Sequence, residues 1–390
     1  AVYHCKFCVA DSRVVLTGAN FGEEYFSTRQ DRYWLVDQRG SESARGIVGF
    51  LREFVEVMSE DCYRLSGDGS LHRASDVTAS SMREKLLALV SRSHGGNSDS
   101  EADGVTCFPL IQHKSLRVTS EEETILSLMR RMSALLLQSR TSSASSSEDV
   151  MQVKFSTPYT NFSSQLSEKI LDVCYLGHSV SILGPNATSH GFASAKGLKS
   201  LIPLLHVEAF TAAMKAAYDK ICTKIPEEND VTSANKPEHQ HYFYEQLEHY
   251  TFQRSGWTFH AKGFWFDVSN KVTASAPNNS GKKTDVSSLS GSYIGSSNFG
   301  ERSWNRDLEL GFLFLQRPHQ TSDVSAGRDF KAFLTRDYDL LRSQCEKDLT
   351  LNQRIASFSH HPPSHSSKFF NQSHSYDSQG PQNNLLSLNN

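Results

Sequence analysis

The sequence predicts a layered α/β fold in two related halves, and three observations lead there. Segments of strand length alternate with segments of helical period. A chemical motif near the start of the chain returns some 256 residues later, at His4 and again at His260. The 390 residues, 38% hydrophobic and 21% charged, are enough to bury a sizeable core in a globular chain.

The strands read as follows. Val14-Val15-Leu16 leads into Thr17-Gly18-Ala19-Asn20, and Arg32 to Val36 is a short mixed run. Val150 to Phe155 alternates, Ser179 to Leu183 is compact, and Leu308 to Leu315 is rich in Leu and Phe. Helices fall between them. Ile47, Leu51, Phe54, Val55 and Met58 recur at helical spacing. Ser120 with Glu123 has the form of a capping box ahead of Ile125, Leu128, Met129 and Met132. Val207 to Ile221 is a further amphipathic stretch.

Punctuation sets the domains. The Ser/Thr-rich run 139–149 is the expected linker between a first half, 1–138, and a second, 150–356. Ser93 to Asp103 reads as a loop, 269–290 as a polar insertion in the second half, and 357–390 as a low-complexity tail too polar to order itself. The chain opens on Ala1 and reaches its motif at His4. By internal symmetry about a hundred residues should precede that motif, so the sequence reads as a piece lacking the N-terminal part of its first half.

The bulk numbers exclude some functions. A net charge of -3 gives no support for a broad nucleic-acid face, so no nucleic-acid partner is expected. No apolar run reaches the roughly 20 residues of a membrane span. Of seven scattered cysteines only Cys5 and Cys8 form a close pair, with no second pair at zinc spacing. They read as small strand residues, and no metal site is expected. The tail histidines, His360, His361, His365 and His374, belong to the low-complexity segment.

The repeat carries the chemistry. His4-Cys5-Lys6 precedes Asp11 and His260-Ala261-Lys262 precedes Asp267, both as H-x-K-x4-D. Asn20-Phe21-Gly22-Glu23 then matches Asn298-Phe299-Gly300-Glu301, and eleven residues after each Asn stands an acid, Asp31 or Glu309. Two H-x-K-x4-D matches arise by chance in roughly one chain per thousand, before the shared Asn-Phe-Gly-Glu is counted.

Residues i and i+2 of a strand face one side, so each His and Lys projects into one pocket. The Asn block can occupy the neighbouring strand of a hairpin. Two such hairpins meeting face to face would gather two His, two Lys and two Asn around one site. Lys6, Lys262, Asn20 and Asn298 suit the non-bridging oxygens of a phosphodiester. One imidazole can attack phosphorus while the other handles the proton, with Asp31 and Glu309 as orienting acids. No metal or cofactor is required. Asp11 and Asp267 complete the motif and count as site candidates, although each can equally end a strand and hold a turn or ion pair. Asp307 rivals Glu309, since an acid two residues away shares its face. Trp257, Phe264, Trp265 and Phe266 read first as core, and Lys196 and Lys199 read equally as phosphate contacts or a solvated helix face.

This arrangement resembles the phospholipase D superfamily, whose members build one active site from two such motifs. Within it the detail is similar to the mitochondrial phosphatidylglycerophosphate synthase family. The likeness lies in Leu16-Thr17-Gly18-Ala19-Asn20, Tyr25-Phe26, Thr28-Arg29-Gln30-Asp31-Arg32-Tyr33, Gly191-Phe192, Ala195-Lys196-Gly197, Gly256 to Gly263 with Trp265, and Asn298-Phe299-Gly300 with Arg306-Asp307-Leu308-Glu309. It runs from Ala1 to about Leu315, weakly across 66–106 and the insertion. The resemblance implies two phospholipase D-like halves, each a mixed β-sheet flanked by helices, with the active site at their interface. It implies CDP-diacylglycerol and glycerol 3-phosphate as partners, CMP release, and a phosphatidyl-histidine on His4 with His260 as acid/base. It further implies a peripheral position at the mitochondrial inner membrane. Hydrolysis by water, or lipid binding without turnover, are the competing readings. The intact His, Lys, Asn and acid in both copies stand against the latter.

Overall fold

The computed structural model describes residues 2–38, 46–73, 78–94, 105–141, 147–224, 246–272, 289–316 and 324–357. In chain order the first half comprises β1 (Phe7–Ala10), β2 (Arg13–Thr17), α1 (Glu23–Ser27), β3 (Arg29–Gln30), β4 (Tyr33–Asp37), α2 (Ile47–Ser59), β5 (Tyr63–Leu65), β6 (Leu71–Arg73), α3 (Ala79–His94), β7 (Val105–His113), β8 (Val118–Thr119) and α4 (Ser120–Thr141). The second comprises β9 (Ser147–Ser156), α5 (Ser164–Tyr175), β10 (Ser179–Pro185), α6 (Ile202–Lys224), β11 (Leu247–Phe252), β12 (Thr258–Phe259), β13 (Gly263–Val272), β14 (Leu289–Gly295), α7 (Glu301–Asn305), β15 (Glu309–Gln316), α8 (Val324–Arg342), β16 (Cys345–Lys347) and α9 (Leu349–Ala356).

One nine-stranded mixed sheet, ordered β16-β11-β10-β9-β13-β14-β15-β7-β8, runs through the molecule. Strands β9, β10 and β11 are parallel and the remaining neighbours antiparallel. Both faces are covered, and the alternation of side chains shows it. Phe264 and Phe266 of β13 enter a core with α4, α5, α6 and α9, while Trp265 enters the opposite core with α2, α3 and α8. Full burial of a large apolar side chain stabilises by roughly 1.5–3 kcal/mol, and helices α2 and α5 each present a stripe of such residues to the sheet. The second core also receives Val14, Leu16 and Trp34 from a small antiparallel sheet, β1-β2-β4.

The halves are unequal and interleaved. Strands β7 and β8 of the first half pair into the second half's sheet through β15, so the boundary at 139–149 separates the chain but not the architecture. That linker is also shorter than expected: α4 continues to Thr141 and β9 begins at Ser147. The remainder, 142–146, lies outside the described residues, as does the tail beyond 357. The polar insertion likewise loses its ends to β13 and β14, leaving 273–288 outside the described residues. The capping box does not form. Ser120 Oγ bridges to the backbone of Ile111 on β7, at 2.8 Å to both N and O, and Glu123 instead accepts from Thr119 Oγ1 at 2.6 Å.

Arg32 ties the small sheet's loop to the large sheet. Its Nη1 donates to the carbonyls of Lys262 (2.9 Å) and Tyr293 (3.0 Å), and its Nη2 donates to Asp337 of α8 at 2.6 Å. The guanidinium lies 4.0 Å from the Trp265 ring centre. Space for it exists because residue 263 is glycine: a Cβ there would stand 2.0 Å from Arg32 Nη1. Replacing Arg32 with Met leaves two carbonyls without their partner and takes the guanidinium from Asp337, which keeps Trp265 Nε1, and we expect a loss of about 3 kcal/mol or more in chemical denaturation. Arg32→Met combined with Asp337→Asn should recover part of it, and additive losses would show that the pair is not coupled.

Candidate active site

Each motif histidine sits on an extended segment that pairs in parallel with a segment from the other half. Thr258 and Phe259 of β12 lie opposite Arg29 and Gln30 of β3, and His260 N donates to Gln30 O at 2.8 Å. In the mirror arrangement Tyr3 bridges Leu308, and His4 N donates to Leu308 O at 2.9 Å. One further step along each ladder brings a histidine to an acid. His260 Nδ1 meets Asp31 Oδ2 at 2.7 Å, and His4 Nδ1 meets Glu309 Oε2 at 2.8 Å. Each acid therefore holds the imidazole of the other motif. By accepting a hydrogen bond from Nδ1–H it leaves Nε2 unprotonated. Glu309 is itself fixed by Ser296 Oγ, which donates to Oε2 at 2.5 Å.

The lysines follow the same symmetry. Lys262 Nζ donates to His260 O at 2.9 Å and Lys6 Nζ donates to His4 O at 2.6 Å. Lys262 Nζ also stands 2.7 Å from Nδ1 and 3.1 Å from Nε2 of His260, against the imidazole. The two clusters form one electrostatic site: Lys6 feels Asp31, and Lys262 feels both Lys6 and Glu309. Burial separates them, because His260 and Lys262 are buried while His4 and Lys6 are half-exposed. Burial, reinforced by Lys262, lowers His260 to about 3 against the opposing pull of Asp31. Burial likewise lowers Lys262 to about 7 and Lys6 to about 8. His260 rests neutral, and an arriving phosphate anion would favour the charged form of both ammonium groups.

The other expected residues divide. Asn20 donates to Tyr25 OH at 2.7 Å, and that tyrosine's ring meets His260 edge-on, with centroids 4.9 Å apart. Asn298 is held through its backbone by Ser303 Oγ and Thr157 Oγ1, and its Oδ1 is buried without a hydrogen bond. Asp307, the rival of Glu309, accepts from Val2 N and Arg302 Nε and leaves the imidazole to Glu309. Asp11 and Asp267 do not join the site. Asp11 occupies the β1–β2 turn in the left-handed region, φ 51°, which Asp tolerates, and is exposed. Asp267 binds Ser290 Oγ at 2.6 Å and Lys331 Nζ at 2.9 Å. The cause is parity: five or seven residues from Lys or His puts each Asp on the opposite face of an extended strand. Phe264 and Phe266 are core, as read, and Lys196 and Lys199 are exposed.

Sequence reasoning missed Tyr25, Arg29, Ser296 and Glu121. Glu121 is fully buried beneath the site. It accepts from Tyr293 OH at 2.6 Å and Trp304 Nε1 at 3.1 Å, with Ser297 a further partner. The one sequence signal was its place in the first turn of α4, which says nothing of the strands it meets.

Fold and paired site together have the architecture of a phospholipase D-like protein. Within that class the chain is similar to mitochondrial CDP-diacylglycerol–glycerol-3-phosphate 3-phosphatidyltransferases. It is 25% identical to the mouse protein (Mus musculus) over 344 residues, covering 78% of this chain and 51% of that one. With the human protein (Homo sapiens) the identity is 24%, covering 78% and 50%. With the Saccharomyces cerevisiae enzyme of the same activity name it is 26%, covering 81% and 56%. The chain spans about half the length of the curated relatives it matches. No family model matches. Among solved structures the fold is that of a phosphatidylserine synthase from Haemophilus influenzae, at a TM-score of 0.50 and 16% identity over 93% of this chain and 66% of that one.

Glu121 makes the site's stability depend on pH. Burial first, then the neighbouring Glu309, pushes its carboxyl from 4.5 up to about 7. A value raised by folding stabilises fully below 4.5 and is lost as pH rises through 7, a change of about 3 kcal/mol. Glu121→Gln keeps the shape without the charge. Its denaturation midpoint should fall less than that of the wild type between about pH 4.5 and 7; parallel curves would show that Glu121 ionises as readily folded as unfolded.

Proposed function

We propose that this chain carries both motif pairs of a phosphatidyltransferase that makes phosphatidylglycerophosphate from CDP-diacylglycerol and glycerol 3-phosphate. The observation that carries the reading is the crossed pairing of His4 with Glu309 and of His260 with Asp31. The likeness to transferases of that name supports the choice of substrates. In this reading His4 Nε2 attacks the phosphatidyl phosphorus. The phosphoanhydride bond breaks, CMP leaves as an anion that needs no proton, and a phosphatidyl-histidine remains. Glycerol 3-phosphate then presents a hydroxyl, His260 accepts its proton at Nε2, the new P–O bond displaces His4, and His260 releases the proton to solvent.

Neutral His260 is available to take a proton in the second step, and the bound anion has to offset the burial that makes it a weak base. Lys6 and Lys262 hold the non-bridging oxygens as charge develops. In this reading Asn20 and Asn298 add amide donors for the phosphate, and no metal or cofactor enters the scheme. The diacylglycerol part keeps the reaction at a bilayer surface. We assign the chain a peripheral position at the mitochondrial inner membrane, supported by the mitochondrial relatives. No helix among the described residues is long and apolar enough to cross a membrane.

The test supplies CDP-diacylglycerol and labelled glycerol 3-phosphate and follows CMP together with label entering lipid. Wild type should give both in step. His4→Ala and His260→Ala should each lose about a thousandfold or more, and Asp31→Asn about a hundred- to ten-thousandfold through loss of tautomer control. CMP without labelled lipid would make the protein a hydrolase, and no turnover would return it to a lipid-binding role.

A further inference from the structure

Arg29 stands where the site can read a second phosphate. The β3–β12 ladder pairs Arg29 with Thr258, and two residues on along each strand come Asp31 and His260. Residues two apart on a strand share a face, so the Arg29 side chain lies about 7 Å along the ladder from the Asp31–His260 pair. Its Nε donates to Thr258 Oγ1 at 3.0 Å and its Nη1 to Tyr25 OH at 2.8 Å, with the guanidinium 4.6 Å from the Tyr25 ring centre. Its charge reaches both His260 and Lys262.

Among the described residues Nη2 makes no hydrogen bond and no carboxylate pairs with Arg29. Several of the described arginines are matched to acids, among them Arg13 to Asp37, Arg32 to Asp337, Arg302 to Asp307 and Arg354 to Glu208, whereas Arg52, Arg130 and Arg342 meet carbonyls. The cleft beside it measures about 420 Å³ and is lined by Tyr25, Phe26, Arg29, Arg254 and Trp257 among others. That volume is in the range of small-ligand sites.

We propose that Arg29 is the receptor for a phosphate group other than the one transferred, carried by the glycerol phosphate acceptor or by the departing CMP. The inference rests on the phosphatidyltransferase reading. The reacting phosphodiester already has Lys6 and Lys262. A terminal phosphate brings up to two charges and three acceptor oxygens, which a planar guanidinium matches better than an ammonium. Thr258 and Tyr25 hold the fork in place before the ligand arrives, which lowers the ordering cost of binding.

Two assays on wild type, Arg29→Lys and Arg29→Gln separate the sources: transfer of labelled glycerol 3-phosphate into lipid, and exchange of labelled CMP into CDP-diacylglycerol, which needs no acceptor. In Arg29→Gln the KM for one phosphomonoester should rise roughly 10- to 100-fold, with a smaller rise in Arg29→Lys. A rise for glycerol 3-phosphate assigns the acceptor's phosphate, and a rise for CMP assigns the leaving group's. Equal losses of kcat in both assays with both KM values unchanged overturn the proposal and make Arg29 a tie between β3 and β12. If wild type performs neither reaction, the transferase reading fails instead, and calorimetry with inorganic phosphate decides the anion site. Weaker phosphate binding in Arg29→Gln sustains it, and equal binding removes it. Should Arg29→Gln fail to fold, Arg29→Lys carries the same comparisons.

Discussion

Two short parallel ladders hold this site together. Each runs a motif strand of one half alongside the acid-bearing strand of the other, and each ends on a histidine–carboxylate bond. Because the bonds are exchanged, neither half can orient its own imidazole. A half folded alone would present a histidine without its acid, and an acid buried without its histidine, which is costly. The chemistry is thus conditional on correct assembly of the two repeats, and the repeats are held in register by backbone hydrogen bonds rather than by the reacting side chains.

The second motif is the buried one. His260 and Lys262 are enclosed by Arg32, Tyr25 and the strands behind them, while His4 and Lys6 sit nearer solvent. Low polarity around Lys262 and His260 makes their charges expensive, so the resting site holds His260 neutral and Lys262 close to losing a proton. A phosphodiester would reverse that balance, since an anion restores the value of a positive lysine. The resting site is therefore poised for a negatively charged ligand, and the buried Glu121, itself favoured as the neutral acid, adds no full negative charge beneath it below its raised value.

Much of this was legible in the sequence. The apolar run at Leu308 to Leu315 became β15, the helical period from Ile47 became α2, and the aligned spacing from Asn to acid named Asp31 and Glu309 as the orienting pair. Parity should have removed Asp11 and Asp267, because an odd number of residues from a facing His or Lys turns a strand side chain away. What could not be read was partnership across long separations. The crossing of the acids depends on how two hairpins dock. The roles of Arg32, Tyr25 and Arg29 depend on residues some two to three hundred positions away. Ser120 shows the same limit at short range: its sequence fits a cap, yet a neighbouring strand claims its hydroxyl.

The passage of β7 and β8 into the second half's sheet has a mechanical outcome. A continuous ladder from β8 to β16 makes the large sheet one piece, and the small sheet that follows the first motif is tied to it through Arg32 and the β3–β12 pairing. At the rim Phe21 and Phe26 stand exposed, in edge-to-face contact with one another, on the α1 side of the site. Movement of either imidazole has to pull against this connected frame, because each is bonded to an acid from the opposite half.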